Sequence, residues 1–341
     1  MKLAPFVACL LFVTYLCGCS KRESEKGIVV VYTSVDDVFA RPVAEQFERS
    51  SGIKVKLVPD TEETKSAGLL NRLIAEKDRP QCDVFWSGDP VRAGILKNKG
   101  VSTPYDSAAA QGLPMQFSDP ARHFISFSTR ARVIIYNTGL CPAGQEPKSV
   151  HDLTDAKWKG RTCMANPLFG TTSMHAAAWF ETMGDAKAKA FFNALKENGV
   201  KMLSSNGEVK RRVAAGDFAF GLTDTDDAVG AIQENKPVNF VLPDQESEGT
   251  LLVPNAAVLI AGAPHAENGR RFIDYLLSAD TEATLAAGEA AQIPLRSGVK
   301  GPPKLPPLEK INAMSVDYAK LAERLDVLQT GFLKEWVAQQ P

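Results

Sequence analysis

Three β-branched runs alternate with two helical stretches between residues 27 and 89, and that order constrains the fold more than anything else in the chain. "GIVVVYTS" at 27–34, "KVKLVPD" at 54–60 and "CDVFWSGD" at 82–89 read as strands. "DDVFARPVAEQFERSSG" at 36–52 and "ETKSAGLLNRLIAEKD" at 63–78 place apolar residues at helical spacing, and the first ends on Ser-Gly. Strands joined through a helix run parallel, because the crossover returns the chain to the same end of the sheet. The class is therefore α/β, and ligands of such sheets bind beyond the C-terminal strand ends.

The second half keeps the style with different contents. "RARVIIYNTG" at 130–139 is a strand ending in a turn, and residues 149–167 give a short helix, a Lys-Gly turn and another strand. Helices at 170–184 and 185–199 each stop at glycine; "VNFVLP" and "TLLVPNAAVLIAG" are strands, and further helices follow from His265. A mature chain of about 320 residues exceeds what one core usually covers, so two lobes are expected. Long strands near 124–136 and 240–260 suit two crossings between lobes; a single crossing would give consecutive domains instead.

The N-terminus sets the compartment. Lys2 precedes an apolar run from Leu3 to Leu16, too short to span a bilayer and followed by small residues. It resembles a lipoprotein signal peptide over residues 1–18, with Leu16-Cys17-Gly18-Cys19 as the lipobox. Cys19 is then the lipidated first residue of the mature chain, and residues 19–27 form the lipid-anchored tether. A plain secretory signal cut near the same place is the other reading. Of the remaining cysteines, Cys82, Cys141 and Cys163 match no zinc spacing and allow at most one disulfide. The 39 basic and 40 acidic side chains balance without a basic stripe, which argues against nucleic acid. No Gly-x-Ser-x-Gly elbow, His-Glu-x-x-His or P-loop is present, so the chain is expected not to be an enzyme.

"VVVYTSVDDVFARPVAEQFERSSGIKVKLVPD", "CDVFWSGDP", "WKGRTCMANPLFGTTSMH", "VAAGDFAFGLTDTDDA" and "VPNAAVLIAGAPHAENGRRFIDYLLS" together resemble extracellular solute-binding proteins of ABC importers, in the ferric-ion-binding branch. The resemblance implies a two-lobed periplasmic-binding-protein fold, each lobe a mixed sheet flanked by helices, with the ligand cleft between lobes and hinge closure on binding. Residues 28–128 with about 250–300 make the first lobe, and 129–249 with about 301–341 the second. It also implies a periplasmic, membrane-anchored monomer that requires no cofactor and delivers its cargo to an ABC permease and ATPase in the inner membrane.

Ferric iron with a bound anion is the cargo that this resemblance suggests. Iron-binding members commonly use two adjacent tyrosines, whereas Tyr32, Tyr105, Tyr136, Tyr275 and Tyr318 all stand alone here. Where the pair belongs, the sequence reads "GLTDTDD" at 221–227, between an apolar run and an alanine-rich helix. Helix capping by Asp224 and a first-turn place for Asp227 are the ordinary explanations. Three close carboxylates also repel and raise one another's pKa, which a cation in the cleft would relieve. Asp226 and Asp227 are accordingly the candidate metal ligands.

Other cleft loops carry different chemistry. Thr33, Ser34 and Asp36, with Ser87, Gly88 and Asp89, supply hydroxyls, amides and acids. Asn166, Gly170, Thr171, Thr172 and Ser173 open a helix whose N-terminus suits an anion. Arg130 adds a fork for a carboxylate or phosphate, and Thr223 and Thr225 flank Asp224. An anion seat beside an acid cluster fits a phosphonate, organophosphate or amino-acid-like zwitterion as well as a metal with its anion. Phe39, Trp86 and Phe169 would instead favour a larger apolar ligand, and a membrane receptor could replace the permease as partner.

Overall fold

A computed structural model of the chain describes residues 27–60 and 67–340. The signal stretch, Cys19 and the tether as far as residue 26 lie outside the described residues, as does the start of the helix expected at 63–78. Strands β1 (Ile28–Thr33), β2 (Lys54–Pro59) and β3 (Val84–Ser87) run parallel, as the crossover spacing requires. Helices α1 (Asp37–Ser51) and α2 (Ala67–Ala75) connect them. In α1, Ala40, Val43, Ala44 and Phe47 form the buried stripe, and Gly52 closes the helix at φ 72°, where a side chain would be strained. Helix α3 (Pro90–Asn98) follows β3, with Asp89 capping its first turn.

A short β4 (Ser102–Thr103) leads to the 13-residue β5 (Ile125–Asn137). Then come β6 (Thr162–Ala165), α4 (Gly170–Met183), α5 (Asp185–Glu197), β7 (Lys201–Leu203), α6 (Asn206–Ala214), β8 (Phe220–Asp224) and α7 (Thr225–Gln233). The chain finishes with β9 (Val238–Val241), β10 (Leu252–Ile260), α8 (Ala266–Leu276), α9 (Ala279–Ala287), α10 (Tyr318–Thr330) and α11 (Phe332–Ala338). Neither β4 nor β7 was anticipated; two or three residues are too few to show alternation.

All strands join in the order β2-β1-β3-β10-β5-β8-β6-β7, with β4 beside β10 and β9 beside β5. β5 is the connecting strand. Residues 125–131 pair antiparallel with β10, residues 132–136 with β8, and residues 134–137 with β9. Its register against β10 slips beside Ser128, which takes φ 40°, and Asn255 Nδ2 donates to the Phe127 and Ser128 carbonyls at 3.3 and 3.2 Å. This bulge re-aims the strand between its two sets of neighbours. The C-terminal helix α10, expected with the second lobe, lies against both α3 and α4. Gly94 permits that approach, since a Cβ there would stand 2.8 Å from Ala322 Cβ. Cys82, Cys141 and Cys163 are buried free thiols.

Candidate functional site

The parallel strands on either side of β5 and β10 end at one cavity of about 240 Å³. Residues following β1, β3, β6, β7 and β8 all contribute to it, so a single void collects five strand ends. Of the residues anticipated from sequence, Ser34, Asp36, Gly88, Arg130, Asn166, Gly170, Thr171, Thr172, Asp224, Asp226 and Asp227 line it. Phe169 joins them, together with the unanticipated Ala165, Ser204, Ser205, Asn206, Gly207, Lys210 and Arg211.

The acidic wall comes from β8 and the start of α7. β8 fits flush between β6 and α6 because residue 221 is glycine: a Cβ there would meet Val209 Cγ1 at 2.6 Å and Cys163 Sγ at 2.7 Å. Asp224 occupies the N-cap position of α7, yet its side chain caps nothing. It accepts instead from Arg132 Nη1 at 2.7 Å, Thr171 Oγ1 at 2.7 Å, Arg130 Nη1 at 3.2 Å and Asn206 Nδ2 at 3.3 Å. Burial pushes its pKa up, but the Arg132 and Arg130 guanidiniums outweigh this and hold it below the usual carboxylate range.

Asp226, two residues on, differs. It is 8% exposed, accepts from the Asp227 amide at 3.1 Å, and meets Arg130 Nη1 at a long 3.5 Å. Burial raises its pKa to about 7; Arg130 opposes the rise, and Asp227, Asp224 and Asp36 add to it. Asp227 accepts from Thr223 Oγ1 at 2.7 Å and pairs with Lys210 Nζ at 3.6 Å. Three carboxylates therefore face three basic side chains, Arg130, Arg132 and Lys210. The chain thus supplies counter-charges of its own, at close range to Asp224 and only at 3.5 Å or more to Asp226 and Asp227. No group of three His, Cys, Asp or Glu side chains is disposed to hold a metal among the described residues, so Asp226 and Asp227 gain no third such ligand.

Two helices begin at the same cavity. α4 starts at Gly170, whose φ of 53° favours glycine. α6 starts after Ser205, whose Oγ accepts from the Glu208 amide at 3.1 Å. First-turn amides have no intrahelical acceptors and carry partial positive charge, which makes each helix start a place for an anion. Lys210 and Arg211, one and two residues past the first turn of α6, add full positive charges to the lining, and Thr171 and Thr172 add hydroxyls.

Thr33, Ser87, Asp89, Ser173, Thr223 and Thr225 were expected at the ligand and lie outside the lining. Each serves a nearby partner. Thr33 Oγ1 donates to the Trp86 carbonyl at 3.0 Å, and Ser87 Oγ to the Asp89 carbonyl at 2.6 Å. Asp89 accepts from the Arg92 amide at 2.9 Å, Ser173 Oγ donates to the Gly170 carbonyl at 2.7 Å, and Thr225 Oγ1 accepts from the Ala131 amide at 3.2 Å. Thr223 holds Asp227. Short polar side chains at strand ends satisfy local backbone before they reach a ligand. Trp86 is fully buried against Phe127, and Phe39 packs half-buried on the core, so Phe169 alone of the three aromatics reaches the cavity. Arg132 and the α6 group escaped sequence reasoning. "SSNG" at 204–207, a capping sequence ahead of Lys210 and Arg211, was the available signal.

A strand-end cavity walled by helix starts and charges of both signs is where an α/β protein of this kind holds a ligand. Residues 43–311 match the bacterial extracellular solute-binding protein family, and the chain belongs to it. It is 25% identical over 309 residues to the Fe(3+)-binding periplasmic protein of Serratia marcescens, covering 89% of each chain. It is 26% identical over 288 residues, 80% of each chain, to a periplasmic protein of Salmonella typhi to which 2-aminoethylphosphonate binding is ascribed. Iron-bound HitA from Pseudomonas aeruginosa shares the fold, with a TM-score of 0.81 at 20% identity over 89% of this chain and 98% of that one. The two-lobed periplasmic-binding-protein architecture expected from sequence is therefore the fold of this chain, and its family is one of periplasmic binding proteins, not enzymes.

Proposed function

We propose that this protein captures a small zwitterion whose anionic end is a phosphonate or phosphate, and passes it to an ABC permease. One observation carries the reading: a cavity of about 240 Å³ holds two helix starts with Lys210 and Arg211, and also Asp226, a buried acid in long-range contact with its arginine. An oxyanion is served by amides, hydroxyls and cationic side chains together. An ammonium beside Asp226 supplies the close positive charge that Arg130, at 3.5 Å, supplies weakly. The ligand enters between the two lobes, 28–128 with about 250–300 and 129–249 with about 301–341, which close on it by a hinge. Export to the periplasm, a lipid anchor at Cys19, action as a monomer and delivery to the permease and its ATPase complete this proposal.

The relatives named for ferric iron favour a second cargo, iron with an anion, held here through Asp226 and Asp227. Against it, the cavity lining contains no tyrosine among the described residues, and Asp224 and Asp227 already have basic partners. Thermal denaturation of the mature domain, stripped with chelator and refolded, separates the two. 2-Aminoethylphosphonate at a hundredfold excess over its Kd should stabilise the fold by about 2.7 kcal/mol. Ethylphosphonate and ethanolamine, each lacking one charged end, should shift it less. A shift with ferric citrate and none with the aminophosphonate would replace this reading with iron.

A further inference from the structure

Arg130 stands at an unusual place: on β5, the connecting strand, with its guanidinium inside the candidate cavity. One guanidinium touches three oxygens from separate parts of the chain. Nη2 donates to the Gly88 carbonyl at 2.6 Å, and Nη1 reaches Asp224 Oδ2 at 3.2 Å and Asp226 Oδ2 at 3.5 Å. A carbonyl and two carboxylates are hard oxygen donors of the kind that surround calcium, lanthanide or ferric ions. Arginine fills the space between them with a charge that does not titrate away. The fit is close, since a Cβ on Gly88 would come within 3.3 Å of Arg130 Nη2.

We propose that Arg130 is the specificity-determining residue that keeps bare metal cations out of this cavity while leaving Asp226 accessible to an organic ammonium. The proposal rests on the reading of this cavity as the ligand site. The three contacts are graded. Asp224 already accepts from Arg132, Thr171, Asn206 and Arg130, so an ammonium gains little from it, whereas a metal ion that displaced Arg130 would take its Oδ2 together with Asp226. Asp226 holds the longest of Arg130's bonds and is the acid that a ligand can engage without dislodging the guanidinium. A metal ion, by contrast, needs several of these oxygens at once at 2.0–2.6 Å, which only displacement of Arg130 would allow. An ammonium needs acceptors at ordinary hydrogen-bond distance and can share Asp226 with it.

The relatives named for iron make the distinction useful, because the same fold must be told which kind of positive charge to accept. Here the discrimination is steric and electrostatic together: the space between the oxygens is occupied, and Arg130, Arg132 and Lys210 already offset the three carboxylates. Taking away the Arg130 charge leaves one carboxylate unmatched and uncovers the Gly88 carbonyl beside it. Specificity by an occupying cation is negative selection built from the protein's own side chain.

Terbium, a calcium-sized oxygen-seeking ion, is the probe. Titrated into the chelator-stripped mature protein and followed by tryptophan-sensitised emission and calorimetry, it should give no saturable binding at this cavity in the wild type. Arg130→Gln should acquire saturable binding at least tenfold tighter than any wild-type signal, and Arg130→Gln with Asp226→Asn should lose it. Arg130→Lys, which keeps the charge, should continue to exclude the ion. Equal terbium affinity in wild type and Arg130→Gln, or gain of binding that survives Asp226→Asn, overturns the proposal. If Arg130→Gln fails to melt cooperatively, the wild type still decides: saturable terbium binding abolished by Asp226→Asn sinks the idea, and its absence with exclusion by Arg130→Lys upholds it. 2-Aminoethylphosphonate binding by the wild type is measured separately, so failure of the zwitterion reading and failure of the exclusion role register in different titrations.

Discussion

The two sides of the cavity are built differently. The N-terminal strand group brings Ser34, Asp36 and Gly88 to the lining, and the first and last of these are tied to each other, Ser34 Oγ accepting from the Gly88 amide at 2.9 Å. The β6-β7-β8 group brings two helix starts, Lys210, Arg211, Asn206 and the acid cluster. One side is mostly cover; the other holds nearly all the charge. Under the proposed function, in which two bodies close on a solute, this asymmetry assigns ligand chemistry to residues 165–227 and closure to the N-terminal side. Arg130 belongs to neither side alone, since it bonds Gly88 on one and Asp224 and Asp226 on the other.

The largest break in this contrast comes from Asp224→Ala. Arg132 is fully buried and its carboxylate partner lies at 2.7 Å, so the variant leaves a buried guanidinium without its counter-charge. Loss of one partner from a buried pair costs about 3–5 kcal/mol, measurable as a lowered urea midpoint, whereas a loss under about 1 kcal/mol would show that Arg132 finds another acceptor.

Asp226→Asn sharpens the contrast through pH. The folded pKa of about 7 lies above the ordinary value of 3.8, so between these values the native state keeps a proton that the unfolded chain releases. Stability from this group therefore falls as pH rises from about 4 to about 7, by at most about 1.4 kcal/mol per pH unit. The variant should lack that fall and gain on the wild type between pH 5 and pH 8 in urea titrations. Ligand ammonium needs the carboxylate ionised, so aminophosphonate binding near pH 6.5 should release a proton, seen as a calorimetric enthalpy that depends on the buffer. Identical pH profiles for the two proteins would place the raised pKa elsewhere.

How far the sequence reaches differs between the same two regions. The β1-α1-β2 order, the Gly52 stop and the helices at 170 and 185 follow from hydrophobic spacing and glycine, because these are local properties of the chain. The acid cluster was visible as composition, but not its neutralisation: Arg132 lies 92 residues from Asp224 in sequence, and β5–β8 pairing alone sets them opposite each other. Thr33, Ser87 and Thr225 show the converse error. Strand-end position places them near the ligand, and only the backbone they bond explains why they face away. The α6 start is legible as a capping sequence but not as part of a site, since nothing local says that β7 exists or that its end meets those of β6 and β8.

A smaller effect tests the oxyanion wall. Lys210→Met together with Arg211→Met removes two positive charges from a part-exposed surface of α6, so stability should change by less than about 1 kcal/mol. Charge-assisted bonds are worth roughly 1.5–3 kcal/mol each, so with both lost the aminophosphonate should bind about 100-fold more weakly or worse by calorimetry. Unchanged affinity would move the anion to the α4 start.

The smallest effect bears on the N-terminal side. Ser34→Ala deletes the acceptor for the Gly88 amide, a buried bond whose loss costs about 1 kcal/mol of stability. Since Gly88 also presents the carbonyl that anchors Arg130, the loop can loosen without any ligand contact being removed. Affinity for the aminophosphonate should then fall by less than about threefold, roughly the binding equivalent of 0.6 kcal/mol. A tenfold loss with the melting temperature unchanged would mean that the Ser34 hydroxyl touches the ligand directly. The N-terminal side would then carry recognition as well as cover, and the division of labour between the two walls would fail at its weakest point.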